Sequence, residues 1–167
     1  DLEPEYITVQ GRTAWVTLQE ANAVAVVDVP SATVTAIAPL GLKDHSVPGN
    51  GLDASDRDSA VNIATWKGLF GLYQPDAIAS FRVGPQQFLV TANEGDSRSS
   101  GDFPGFNEEV RLGSSGYVLD ATVFTNAAAL KANAALGRLN VTNASGDLDG
   151  DGDFDQIHVF GARSFSI

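Results

Sequence analysis

Residues 146–161 read GDLDGDGDFDQIHVFG, and five aspartates, Asp147, Asp149, Asp151, Asp153 and Asp155, stand there on alternate positions. Like charges this dense repel one another unless a cation neutralises them. Set on the twelve-residue calcium loop, Asp147, Asp149 and Asp151 occupy positions one, three and five. Gly152 falls sixth, where the chain turns sharply, and Asp153 seventh, where a main-chain carbonyl binds. The twelfth residue is His158, not a bidentate glutamate, and a hard cation has little use for imidazole. A strand-like stretch, Gln156 to Phe160, follows in place of a helix, so an EF-hand is not expected. Asp155, at position nine, instead completes a shorter pattern, DxDxDGxxD. Four carboxylates, a carbonyl and a water supply about six or seven oxygens, a number that suits calcium better than octahedral magnesium. The bland alternative is a solvated acidic turn.

Two further groups carry residue types with chemistry in them. Asn93-Glu94-Gly95-Asp96-Ser97-Arg98 ends a strand-like run and opens a loop. Glu94 and Asp96 are candidate ligands of a second metal there, and Arg98 a candidate holder of a phosphate or carboxylate. The plainer reading is a strand-end turn with a local ion pair. His45 lies in a Gly- and Pro-punctuated loop with Asp44 and Ser46, and is a candidate general acid or base. Adjacency of Asp, His and Ser does not define a catalytic triad, which is a matter of spatial geometry. Asp76, in Tyr73-Gln74-Pro75-Asp76, is either a channel-facing group or a turn residue.

The elements that must position these groups are β-strands. Tyr6–Val9, Ala14–Leu18, Ala23–Val29 and Thr33–Ile37 are short, β-branched and separated by Gly, Asn and Pro-Ser breaks, which predicts an antiparallel meander. The pattern returns: Val16-Thr17-Leu18-Gln19-Glu20 is matched 74 positions later by Val90-Thr91-Ala92-Asn93-Glu94. A glycine turn precedes each, at Gly11 and Gly84, and a strand-like run ending in aspartate follows each, at Asp28 and Asp120. A third start aligns Ile157, Val159, Gly161, Ser164 and Phe165 with Ile7, Val9, Gly11, Ala14 and Trp15. Recurring four-stranded meanders predict part of an all-β propeller. Its repeats would run 1–74, with a loop insertion, then 75–146, with a helical excursion, then 147–167, with the calcium loop and a third start. The competing arrangement is one irregular β-sandwich. A short helix over Asn126–Leu136, stopped by Gly137, is expected in the second insertion.

The 167 residues, 43% apolar and 19% charged, describe a globular chain able to bury a core. A net charge of −11 argues against nucleic acid, and no apolar run is long enough to span a membrane. There is no cysteine, which removes disulfides and thiolate sites. Residue 1 is not methionine and the chain stops at Phe165-Ser166-Ile167, so a piece of a larger protein is expected.

The DxDxDGxxD stretch resembles the calcium loops in the propeller of integrin α-chains. More broadly, LEPEYITV, AWVTLQEANAVAVVDV, LGLKDHSVPGNGLDASDRD, YQPDAIASF, LVTANEGDSR, EEVRLG, LGRLNVT and GDLDGDGDFDQIHVFGARSFSI, in that order, resemble the choice-of-anchor I domain. That family includes mesenchyme-specific cell-surface glycoproteins and many bacterial secreted proteins described as alkaline phosphatases. The resemblance implies an extracellular β-propeller, tethered to the surface or released, with a link to calcium and in some members to mineral deposition. Members often read EGDxR followed by an acidic or aromatic residue, whereas Ser99-Ser100-Gly101 follows here. No catalytic residue carries over from the resemblance.

Two functions remain open at this level. The first is a non-catalytic, calcium-stabilised module at the cell surface, outside the cell or in a periplasm. It would bind a glycan, a mineral or another partner, beside further blades or other chains of the same protein. The second is a metal-dependent phosphoesterase acting on a phosphate ester. There Glu94 and Asp96 would hold metal, Arg98 the phosphate, and His45 would carry the proton.

Overall fold

The structure, a computed structural model, describes residues 2–99, 101 and 104–167; Ser100, at the edge of the EGDSR motif, lies outside them. It is all-β apart from one very short helix. Contacts divide the chain into two units. The first unit comprises Asp1–Leu42, Leu72–Asp96 and Phe160–Ile167, and the second Lys43–Gly71 and Ser97–Val159. This grouping follows packing and cuts across the repeat boundaries drawn at 74 and 146.

The first unit holds two antiparallel sheets. Strands β1 (Pro4–Gln10), β2 (Thr13–Leu18), β3 (Ala23–Asp28) and β4 (Thr33–Pro39) form the expected meander in the order β1-β2-β3-β4. Gly11 makes the β1–β2 turn with φ +62°, a left-handed value that glycine adopts without steric cost. Side chains of Leu18, Ala23 and Ala25 form this sheet's small buried cluster, with Val16 and Ala21 against it.

The later strands β9 (Pro75–Val83) and β10 (Gln86–Asn93) repeat the first hairpin, and Gly84 turns it at φ +59°. The two VTxxE segments therefore end equivalent strands. Thr17 and Thr91 are both buried, and so are Gln19 and Asn93 two residues on. Strands β1 and β9, from different sheets, lie close enough for Ser80 N–H to donate to Thr8 Oγ1 at 3.0 Å.

The next strand of the second sheet differs from the sequence expectation. Val118–Asp120 forms no strand, only an isolated bridge from Leu119 to Phe154. The edge of β10 is instead taken by the strand Ser164–Ser166, with Ala92 opposite Phe165. Ser164 and Phe165 thus stand beside β10 as β3 stands beside β2, and do not begin a third sheet.

In the second unit, β5 (Leu42–Asp44), β8 (Leu69–Leu72), β11 (Glu109–Arg111), β12 (Asn140–Thr142) and β13 (Ile157–Val159) make a sheet ordered β11-β12-β13-β8-β5. Its β13–β8 pair is parallel. A two-stranded piece, β6 (Leu52–Asp53) with β7 (Ile63–Ala64), accompanies it; the strand Ser164–Ser166 of the first unit is β14. The core gathers Leu69, Leu112, Leu136, Val141 and Ile157, all at 0% exposure, around Tyr117 and Phe124.

The helix α1 covers only Ala127–Leu130, much less than the alanine-rich stretch predicts. Asn126 makes no side-chain capping bond. Beyond Leu130 the chain breaks into turns, with Leu136 N–H donating to Leu130 O at 3.0 Å. Those turns bring Leu136 into the core, a tertiary gain that overrides helix propensity.

Candidate metal centre

The aspartate loop sits in the second unit, between β12 and β13. Gln156 N–H donates to Gly146 O at 2.9 Å and closes its base, and Ile157 N–H donates to Gly68 O at 2.8 Å and starts β13. Within the loop each carboxylate is tied to nearby main chain. Asp147 accepts from Gly150 N–H at 2.7 Å through one oxygen and from Gly152 N–H at 3.1 Å through the other. Asp149 accepts from Asp151 N–H at 3.2 Å, and Asp151 from Asp153 N–H at 3.1 Å. Asp155 reaches back to Leu148 N–H at 2.7 Å. Gly152 has φ +99°, the sharp turn expected at the sixth position.

These bonds draw three of the aspartates together at the surface. Asp147, Asp149 and Asp151 each bring one carboxylate oxygen within 4.8 Å of the others'. The electrostatics record the crowding. The Asp151 N–H lowers the Asp149 pKa, but repulsion from Asp151, Asp155 and Asp147, with desolvation, outweighs it and leaves the group raised. Asp153 is raised too, first by desolvation and then by Asp151, Asp120, Asp155 and Asp149.

Asp120 is a carboxylate that sequence reasoning passed over at this loop. Asp120 N–H donates to Phe154 O at 3.1 Å and Phe154 N–H to Val118 O at 2.9 Å, which seats the segment against the loop. Tyr117 stacks on Phe154 at 4.0 Å between ring centres. The N–H and hydroxyl of Thr122 hold the Asp120 carboxylate below its usual range, with Asp155 also within hydrogen-bonding reach. Nothing local in the sequence marks this: the pairing joins residues 119 and 154.

His158 has a different task from the ligand of a twelfth loop position. It is buried, its Nδ1 lies 2.8 Å from Ser145 Oγ and its Nε2 3.0 Å from Gln156 Oε1. Burial pushes its pKa down, favouring the neutral ring.

The remaining candidates are dispersed over different surroundings. Arg98 is engaged by Glu108, which is buried at 2% exposure. The Arg98 main-chain N–H donates to Glu108 at 2.9 Å and its Nε at 3.2 Å. Thr142 donates to the other Glu108 oxygen at 2.8 Å. His45 is buried, with Nδ1 2.6 Å from Asn50 O, and its own main chain bridges Leu69 O and Trp66 N–H. Asp76 is half-buried within β9.

In the first unit Glu94 and Asp96 are exposed. Asp96 lies near a second acidic group that the sequence does not reveal, because Glu20, in the turn after β2, meets Glu3 and Glu5 at the start of β1. Glu3, Glu5 and Glu20 bring carboxylate oxygens within 4.8 Å of one another. Burial raises the Glu20 pKa against the pull of its own N–H, and Glu3, Glu5 and Asp96 raise it further. Gln74, also unsuspected, is wholly buried and ties down the turn that carries Asp96. Its Nε2 donates to Asp96 O at 2.7 Å, and its Oε1 accepts from Gly161 N–H at 3.1 Å.

Sheets of short strands, mostly antiparallel, with a hydrogen-bonded acidic loop define an all-β module. The choice-of-anchor I domain profile matches residues 1–167, and the chain belongs to that family. Membership places it among modules of secreted or surface-anchored proteins. No curated protein and no solved structure matches the chain. Among the described residues no helix is long and apolar enough to cross a membrane.

Proposed function

We propose that the chain is a calcium-binding, non-catalytic part of an extracellular β-propeller, serving a surface-anchored or secreted protein as a binding module. The observation that carries this reading is the bonding of the aspartate loop. Main-chain N–H groups orient Asp147, Asp149 and Asp151 so that one oxygen of each lies within 4.8 Å of the others'. The donor chemistry suits a hard divalent cation, since the donors are all oxygen, and by loop position the Asp153 carbonyl and the Asp155 carboxylate would complete the set. The propeller reading is supported by the two equivalent hairpins, β1–β2 and β9–β10, with matching glycine turns and matching buried Thr and Gln/Asn positions.

A metal-dependent phosphoesterase is the second reading, favoured by the approach of Asp96 to Glu3, Glu5 and Glu20. Against it, the intended phosphate holder Arg98 is spent on Glu108, and the intended proton carrier His45 is buried. Calcium binding to the folded state alone raises the melting temperature by mass action. For a dissociation constant typical of extracellular calcium sites, about 10⁻⁴–10⁻³ M, ~10 mM calcium adds roughly 1.4–2.7 kcal/mol. In a chain of this size that is a shift of roughly 3–10 °C. Asp151→Asn should remove the shift and Glu20→Gln should keep it. Loss with Glu20→Gln, together with hydrolysis of a phosphate ester by the wild type, would favour the phosphoesterase.

A further inference from the structure

A cavity of about 810 Å³ opens in the second unit beside the aspartate loop, lined among others by Asp44, Trp66, Phe70, Phe124, Asn126 and Gln156. Its volume lies within the roughly 300–1,000 Å³ of small-molecule sites. The aromatic rings are held in place. Trp66 Nε1 donates to Leu52 O at 3.2 Å, Phe70 meets His158 edge to face, and Phe124 belongs to the core. Around these apolar faces stand planar polar groups with capacity to spare. Asn126 makes no capping bond with its side chain. Asp44 accepts from Ser46 N–H at 2.8 Å and from the Ser46 hydroxyl, and a carboxylate keeps lone pairs for a further donor.

We infer that this cavity is a binding site for a neutral oligosaccharide. A sugar ring offers C–H faces that pack on aromatic rings and a rim of hydroxyls that pair with carboxylates and amides. The charge of the lining decides against an anion: Asp44 and Asp155 face it with only Lys67 opposing them, so a phosphate ester would meet net repulsion. Cavity and aspartate loop share Asp155. The inference rests on reading the chain as a non-catalytic binding module, and supplies the class of its ligand.

The test is capture of the chain on an array of defined neutral, acidic and phosphorylated glycans. Calorimetric titration of the best neutral oligosaccharide follows, with calcium and with chelator. Asn126→Ala should weaken binding about tenfold, the effect of leaving hydroxyls unpaired in a ligand site. Lys67→Ala should change it less than about twofold, as expected for an exposed charge facing a neutral ligand. Capture of no neutral glycan would overturn the inference. So would affinity unaltered by Asn126→Ala, or capture of acidic or phosphorylated glycans alone with loss on Lys67→Ala. Binding in both calcium and chelator supports a cavity that works without the loaded loop, and binding only in calcium supports one coupled to it through Asp155. A separate calcium titration that fails while saccharide binds would remove the calcium reading and leave the cavity.

Discussion

Replacing Gln74 with alanine should unfold the first unit more readily than any change at an exposed acidic residue. Gln74 is at 0% exposure and uses every polar atom it has. Its N–H donates to Asn22 Oδ1 at 3.0 Å, its carbonyl accepts from Gly95 N–H at 3.2 Å, and its side chain joins Asp96 O to Gly161 N–H. Gly95 and Gly161 pass so close that a Cβ on Gly161 would collide with the Glu94 carbonyl, so water has no room beside the Gly161 N–H. Leaving that buried donor unpaired costs about 1–3 kcal/mol. The Asp96 carbonyl, on an exposed residue, can rehydrate and adds at most about 1 kcal/mol. The lost methylene contributes about 0.8 kcal/mol.

The total for Gln74→Ala is therefore about 2–5 kcal/mol. Backbone geometry supplies a second signature. Gln74 has φ +44°, a conformation that costs a non-glycine residue about 1–2 kcal/mol. Gln74→Gly should consequently be no worse than Gln74→Ala, the reverse of the usual order. Urea unfolding in a Trp66→Phe background, where Trp15 of β2 is the remaining tryptophan, reads the first unit directly. A loss below about 1 kcal/mol for Gln74→Ala would refute the bonding argument.

Three other expectations follow from the second unit. Arg98→Ala should cost about 3 kcal/mol in urea unfolding, because it leaves the 3%-exposed Glu108 side chain without its cation; an arginine kept free for phosphate would be removed at almost no cost. Tyr117→Phe should leave stability unchanged or raise it by up to about 1 kcal/mol, since its hydroxyl is buried without a partner among the described residues; a clear drop in melting temperature would show a partner such as an ordered water. For His158 the folded pKa is below 6.5, so the unfolded chain binds the extra proton first. Its contribution to stability is present above pH ~6.5 and lost as pH falls through and below that value. Urea midpoints of metal-free protein between pH 7.5 and 6 should fall more steeply for the wild type than for His158→Asn, and equal slopes would contradict the assignment. Asp149 and Asp153, with raised values, act in the opposite sense nearer the carboxylate range, below that window.

What could be read from the sequence was what is encoded locally. Alternation over residues 4–39 and the glycines at 11 and 84 specify hairpins by strand period and turn geometry, and the meander has the expected order. The aspartate loop was legible for the same reason: its hydrogen bonds span two to seven residues. Features assembled from distant segments were not. Pairing of Thr91 with Ser166 decides which strand completes the second sheet, yet neither segment carries a mark of the other. Strands β5 to β8 are two to four residues long, too short for a period to show. Asp120, the Glu3–Glu5–Glu20 group and the Gln74 clamp depend in the same way on contacts across the fold. The alanine-rich stretch after Asn126 misled because propensity favours helix there, while burial of Leu136 favours turns.

Residues 147–155 are proposed to hold one calcium ion. Calorimetric titration of calcium into chelator-treated protein tests it most directly, with magnesium as the competing ion and Asp151→Asn as the variant. A single calcium event is expected, weak or absent with magnesium and abolished by Asp151→Asn. A titration without heat, or one that Asp151→Asn leaves intact, would contradict it.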